Sequence, residues 1–259
     1  MQRRNFMKVA GALSVAPAVS MASSFENLAL SSEMKEIYEW RIYTLTGDGS
    51  RLDTFLKDVL VPAYNRKNIK IGAFKPFKPE DSEKQRHILF IYPDIKTYHE
   101  VKKTIWNDSA FRQQAQAFYD QTATNPVYSN FESYLSEAFD KIPVHRKPDS
   151  SRTLFEIRIY QSPNEEGNQR KVKMFNDGEI ALFDKVGINS VFYGDILSGP
   201  RMPALLYLTW NKDEETRNEV WKQFGSHPEW KVMAADPQYA NTATNNQSIF
   251  LAPLPYSQL

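Results

Sequence analysis

The chain has 259 residues with 32 basic and 31 acidic side chains, a net charge of +1, and is 41% hydrophobic and 13% aromatic. This is ordinary globular material with enough apolar residues for a core, and it lacks the basic excess that a nucleic-acid partner would call for. The absence of cysteine excludes disulfides, thiolate metal sites and cysteine nucleophiles, and no apolar run is long enough to predict a membrane-spanning helix.

The first 22 residues have the layout of an export signal. Arg3, Arg4 and Lys8 precede a mildly apolar, alanine-rich stretch, no acidic residue occurs before Glu26, and Ser20-Met21-Ala22 suits cleavage before Ser23. The run Arg3-Arg4-Asn5-Phe6-Met7-Lys8 resembles the twin-arginine consensus, so the expectation is a periplasmic protein with residues 1–22 removed. Taking those three basic residues from 32 leaves 29 against 31 acidic, net −2. Residues 23–35 read as a linker, and no stable membrane insertion is expected once the signal has gone.

Residues 38–43 read YEWRIY, a strand of alternating character. A Gly-Asp-Gly turn follows, then an amphipathic helix with Leu52, Phe55, Leu56, Val59 and Leu60 on one face. Next come a short strand, IGAF (71–74), and the apolar run HILFIY (87–92), as expected of a strand covered on both faces. The stretches beginning at Ile95 and Ser109 read as helical, and NFESYLSEAF (130–139) as a closing strand. The polar stretch KIPVHRKPDSSR (141–152), with two prolines, marks an exposed linker. The pattern then repeats: FEIRIY (155–160), a helix ending near Gly187, SVFY (190–193), ALLYLTW (204–210), two helical segments, and NQSIFLAPL (246–254).

The order is β-α-β-β-α-β twice, which predicts an α+β fold of two tandem ferredoxin-like domains, 36–140 and 153–259. Each four-stranded sheet would leave one aromatic-rich face bare, so the two are expected to pack face to face as an intramolecular α/β barrel. The paired Glu-x-Arg-x-Tyr strands, the duplicated halves and the ending IFLAPLPYS resemble the NIPSNAP family of the dimeric α/β-barrel group. The second copy keeps HPEW where the first has DSAF, so the first is the more divergent there. The resemblance implies the barrel fold but no agreed catalytic activity.

Successive residues of a strand face opposite sides. Tyr38, Trp40 and Ile42, with Phe155, Ile157 and Ile159, are expected to pack beneath the helices. Glu39, Arg41 and Tyr43, with Glu156, Arg158 and Tyr160, would then share the barrel interior. Two functions follow for those six residues. They form a structural ion-pair lattice, or they line a pocket in which Arg41 or Arg158 clamps an anionic ligand while a Glu or Tyr exchanges a proton. Tyr193 and Trp210 are further ligand-stacking candidates. Among the histidines, His87 and His145 sit among basic and polar loop residues and read as solvated, and His99 as surface. His227, close in sequence to Trp221, Phe224 and Trp230, is the best candidate proton carrier, although a helix-capping role competes. No metal spacing, nucleotide loop, haem ligand environment or hydrolase elbow is present, so no cofactor and no metal are expected. The expected activity is binding, with or without transformation, of a small acidic or ring-containing molecule inside the barrel. The alternative is a non-catalytic binding or assembly module with a filled core and a protein partner. Further association into a homo-oligomer stays open.

Overall fold

In the computed structural model, residues 34–78 and 84–259 are described. The export signal and most of the linker at 23–35 lie outside them. Eight antiparallel strands form a closed barrel. They are β1 (Ile37–Leu45), β2 (Lys70–Pro76), β3 (Gln85–Tyr92), β4 (Tyr128–Ala138), β5 (Leu154–Gln161), β6 (Asn189–Ser198), β7 (Ala204–Asn211) and β8 (Asn245–Pro253). The order around the barrel is β1-β3-β2-β8-β5-β7-β6-β4. Within each half the first strand is central, β1 between β3 and β4, β5 between β7 and β8. Two contacts between halves close the ring: β2 with β8, pairing Phe74 with Pro253, and β4 with β6, pairing Ala138 with Gly194.

The helices alternate with the strands as the sequence predicts. In the first half α1 spans 50–65, with a π turn at Leu56–Leu60 between Ser50–Phe55 and Val61–Asn65. It is followed by α2 (Ile95–Thr104), a 3-10 turn at Ile105–Asn107, and α3 (Ser109–Thr124). In the second half α4 spans 165–186, with its own π turn at Phe175–Glu179, followed by α5 (Glu214–Ser226) and α6 (Pro228–Ala235). Matched caps start the matched helices. Asp94 and Asp213 accept from the third backbone N–H of α2 and α5, Asp108 does so for α3, and His227 accepts from Glu229 at the start of α6. Each cap satisfies an N–H that the first helical turn leaves unpaired.

The faces of the strands are the reverse of the expectation. Tyr38, Trp40, Phe155, Ile157 and Ile159 point into the barrel, where they pack with Phe74, Leu89, Phe192, Leu206 and Leu208 from both halves. Trp40 stacks on Phe74 and Tyr38 lies against Phe192. The Glu-Arg-Tyr face looks outward, toward the helices: Tyr43 packs with Leu52, Phe55 and Phe111, and Tyr160 with Phe175 and Phe183. The reason is access to polar partners. The interior, lined by strand side chains and by Leu259 of the C-terminal tail, takes the apolar row, whereas on the outward face helix cations (Lys102, Arg217) and strand hydroxyls (Tyr92, Ser133, Ser248) reach the carboxylates. The six polar residues therefore do not share one space.

Two histidines also differ from the expectation. His87 is fully buried on the interior face of β3, its ring 5.8 Å from that of Trp40. Its parity with Leu89 and Ile91 carries it inward despite its polar sequence neighbours. His145, rather than being solvated, sets Nδ1 2.9 Å from a Glu36 carboxylate oxygen, and its backbone N–H donates to the same group at 2.6 Å. This pins the irregular stretch after β4 to the start of β1. His99 is exposed, as expected.

Candidate functional site

In the first half, β1 presents Glu39 and Arg41 to the underside of the helices. Arg41 Nε donates to Glu39 Oε1 at 2.8 Å, and its Nη1 donates to the Tyr43 hydroxyl at 3.3 Å. Glu39 also accepts from Lys102 of α2 at 3.2 Å, from the Tyr92 hydroxyl at 2.9 Å and from Ser133 at 3.4 Å. Burial works against the Glu39 carboxylate, yet Arg41, Lys102 and Tyr92 together hold its pKa below the usual value. The Arg41 guanidinium lies 4.3 Å from the centre of the Phe90 ring and 5.2 Å from that of Phe131. Burial and the neighbouring Arg41 lower the pKa of Lys102.

A pocket of about 230 Å³ opens between this face and the helices. Arg41, Tyr43 and Tyr64 line its floor side, while Phe55, Phe111 and Phe118 supply apolar walls. Lys102, Trp106 and Phe131 also line it and are partly exposed, with Trp106 54% and Phe131 42% accessible. Two cations and one carboxylate meet there, with a net charge of +1. The chemistry suits a planar molecule with one anionic end.

The second half repeats the polar set and differs around it. Glu156 accepts from Arg158 at 2.6 Å, from both Nε and Nη2 of Arg217 at 2.8 Å, and from Ser248. Its pKa is lowered because these partners outweigh its burial. Arg158 Nε donates to the Tyr160 hydroxyl at 3.1 Å, which lies 2.8 Å from that of Tyr207. The space above is occupied. Trp221 covers Arg158 at 4.4 Å, and Lys171 is ion-paired with Glu179 at 2.8 Å while lying against the rings of Phe175 and Trp230. Burial raises the pKa of Glu179 even against Lys171.

Of the residues singled out from the sequence, Glu39, Arg41 and Tyr43 come together in one cluster, and Glu156, Arg158 and Tyr160 in the other. Tyr193 joins the second cluster's aromatic packing, its hydroxyl bonded to Ser190. Trp210 lies on the opposite face of the sheet, against the barrel interior, and meets neither arginine set. His227 caps α6. Sequence reasoning missed Lys102, Tyr92, Ser133, Arg217, Ser248 and the Lys171–Glu179 pair. The two serines had a signal, since Ser133 and Ser248 pair opposite Arg41 and Arg158 in the last strands of their halves.

The fold and its two outward-facing clusters define a duplicated α/β barrel whose polar chemistry lies between sheet and helices. The NIPSNAP family profile matches residues 155–258, which identifies the second half of the chain as a NIPSNAP-type domain. Among solved structures, a candidate monooxygenase of Lactobacillus acidophilus superposes with a TM-score of 0.56 at 8% identity, covering 85% of this chain and 94% of that one. A candidate monooxygenase of Fusobacterium nucleatum gives 0.55 at 11% identity, covering 86% and 94%. An anthrone oxidase-like protein gives 0.52 at 8%, covering 86% and 92%. At these identities the likeness is one of fold. A comparison with the curated proteins finds no match.

Proposed function

We propose that the first half binds a small aromatic acid, carboxylate or phenolate, in the pocket under α1–α3. The observation that carries this reading is the pairing of Arg41 and Lys102 with aromatic walls in an open space of about 230 Å³. Arg41 shares its N–H groups among Glu39, Tyr43 and Tyr64, and a guanidinium presents five in a fixed fork suited to an oxyanion. An anionic aromatic entering the pocket would meet the Arg41 guanidinium and the Lys102 ammonium, both of which favour the carboxylate or phenolate form over the neutral acid. The similarly folded candidate monooxygenases and anthrone oxidase-like protein make oxidation of such a ring, with dioxygen as co-substrate, the turnover to test first.

The test is a titration calorimetry series with 2-naphthoate. Arg41→Gln should weaken binding at least tenfold, and Arg158→Gln, under its own tryptophan, should leave it unchanged. Binding that survives Arg41→Gln sinks the proposal. The competing function, a non-catalytic assembly module, draws support from the filled barrel interior. It would be favoured if neither acidic nor neutral aromatics bind. We further read the two halves, 36–140 and 153–259, as tandem ferredoxin-like domains, each sheet running last-first-third-second. We also propose that the protein reaches the periplasm through its twin-arginine-like leader.

A further inference from the structure

The duplication allows the two outward clusters to be compared residue by residue. Lys102 is the eighth residue after the cap Asp94, and Trp221 is the eighth after the cap Asp213. Phe111 and Trp230 each stand third after their caps, Asp108 and His227. The matched π turns align α1 with α4, so that Leu52 corresponds to Lys171, and Leu60 to Glu179. Every one of these first-half residues lines the pocket. The second-half counterparts pack on one another and on the arginine instead: Lys171 pairs with Glu179 and lies against Trp230, and Trp221 lies over Arg158.

We propose that the second half carries its own occupant: the Trp221 indole lies over Arg158 in the place that Lys102 leaves open over Arg41. The side chain at this one helix position then decides whether a half accepts an aromatic anion. The indole is held by packing rather than by polar contacts. Its ring sits 4.4 Å from the Arg158 guanidinium carbon, 5.2 Å from that of Arg217 and 5.4 Å from the Phe183 ring, while its Nε1 has no hydrogen-bond partner among the described residues. A planar ring against a guanidinium is the contact a bound aromatic ligand would make. Despite its duplicated sequence, the chain therefore offers one site, and that site prefers a flat aromatic of about indole size carrying a negative charge.

This inference rests on the first-half pocket being a ligand site, and the experiment separates the two claims. 2-Naphthoate is titrated into the full chain by calorimetry, and indole is added in thermal unfolding. Trp221→Ala should bind one more naphthoate per chain than the wild type, and its melting temperature should rise with indole where the wild type's does not. Lys102→Trp should lower naphthoate affinity at least tenfold, and by more than Lys102→Gln, which removes the charge and leaves the space. An unchanged stoichiometry with no indole effect in folded Trp221→Ala overturns the proposal. So does a Lys102→Trp chain that binds as well as Lys102→Gln, a result that also decides the matter if Trp221→Ala does not fold. If the wild type binds no naphthoate, the first-pocket function fails, while the indole response of Trp221→Ala still tests the occupant.

Discussion

Acid stability should be governed to a measurable degree by His87. The imidazole is fully buried among interior side chains, with Nε2 3.3 Å from Gln85 Oε1 and no partner for Nδ1 among the described residues. Burial alone drives its pKa from 6.5 down to about 3. A depressed histidine is neutral in the folded chain while the unfolded chain takes up a proton. The stabilising term is therefore complete above about pH 6.5 and is lost as pH falls toward 3. At about 1.36 kcal/mol per pH unit, some 2 kcal/mol has gone at pH 5 and about 5 kcal/mol below pH 3. The matching position of β7 is Leu206, also interior, so His87→Leu is a substitution the barrel already accommodates once. Urea unfolding of both chains at pH 7.5, 6 and 5 isolates the effect, since losses from other groups are common to both and cancel in the difference. The wild type should fall relative to His87→Leu by about 2 kcal/mol between pH 7.5 and 5. A difference that stays constant across that range refutes the argument, as would a ring proton resonance that titrates near the ordinary histidine value.

The buried Lys171–Glu179 pair gives a second test. Lys171→Met alone should cost about 3–5 kcal/mol by stranding the Glu179 carboxyl, whereas Lys171→Leu with Glu179→Leu, copying Leu52 and Leu60, should be near neutral in chemical denaturation. Equal losses in both would show that the pair is held for more than mutual compensation. For export, replacing Arg3 and Arg4 by Lys should leave the protein out of the periplasmic fraction; undiminished periplasmic accumulation would reject a twin-arginine leader.

Much of the architecture was legible because the chain states it twice. The strands at 38–43 and 155–160 announce corresponding first strands, and the elements that follow each recur in the same order. What the pattern could not supply was the side on which each strand face lies. Alternation in YEWRIY says only that Tyr38 and Trp40 are on one side and Glu39 and Arg41 on the other. The choice is settled by Lys102 and Tyr92, which reach Glu39 from elements more than fifty residues away. His87 was misread for a related reason. Its neighbours Gln85 and Arg86 are polar, but the parity of 87, 89 and 91 was the better guide, since a residue's face in a strand depends on its alternate neighbours and not on its adjacent ones.

The reversed faces also explain how one duplicated framework can hold an open pocket over Arg41 in one half and an indole over Arg158 in the other. Had the Glu-Arg-Tyr rows met inside the barrel, both halves would have contributed to one enclosed volume. Any change in one would then have had to be matched across the strands by the other. With each row facing its own helices, the two clusters answer to separate sets of residues, Lys102, Ile105 and Phe111 in one case, Trp221, Phe224 and Trp230 in the other. The shared requirement is only that the strand carboxylate keep its cations, and each half meets it differently: Arg41 with Lys102, Arg158 with Arg217. Once Arg217, one turn earlier on its helix, has taken over the task that Lys102 performs in the first half, the eighth position of α5 is released from pairing. It is then free to carry an indole, which closes the second cleft while the barrel interior stays intact.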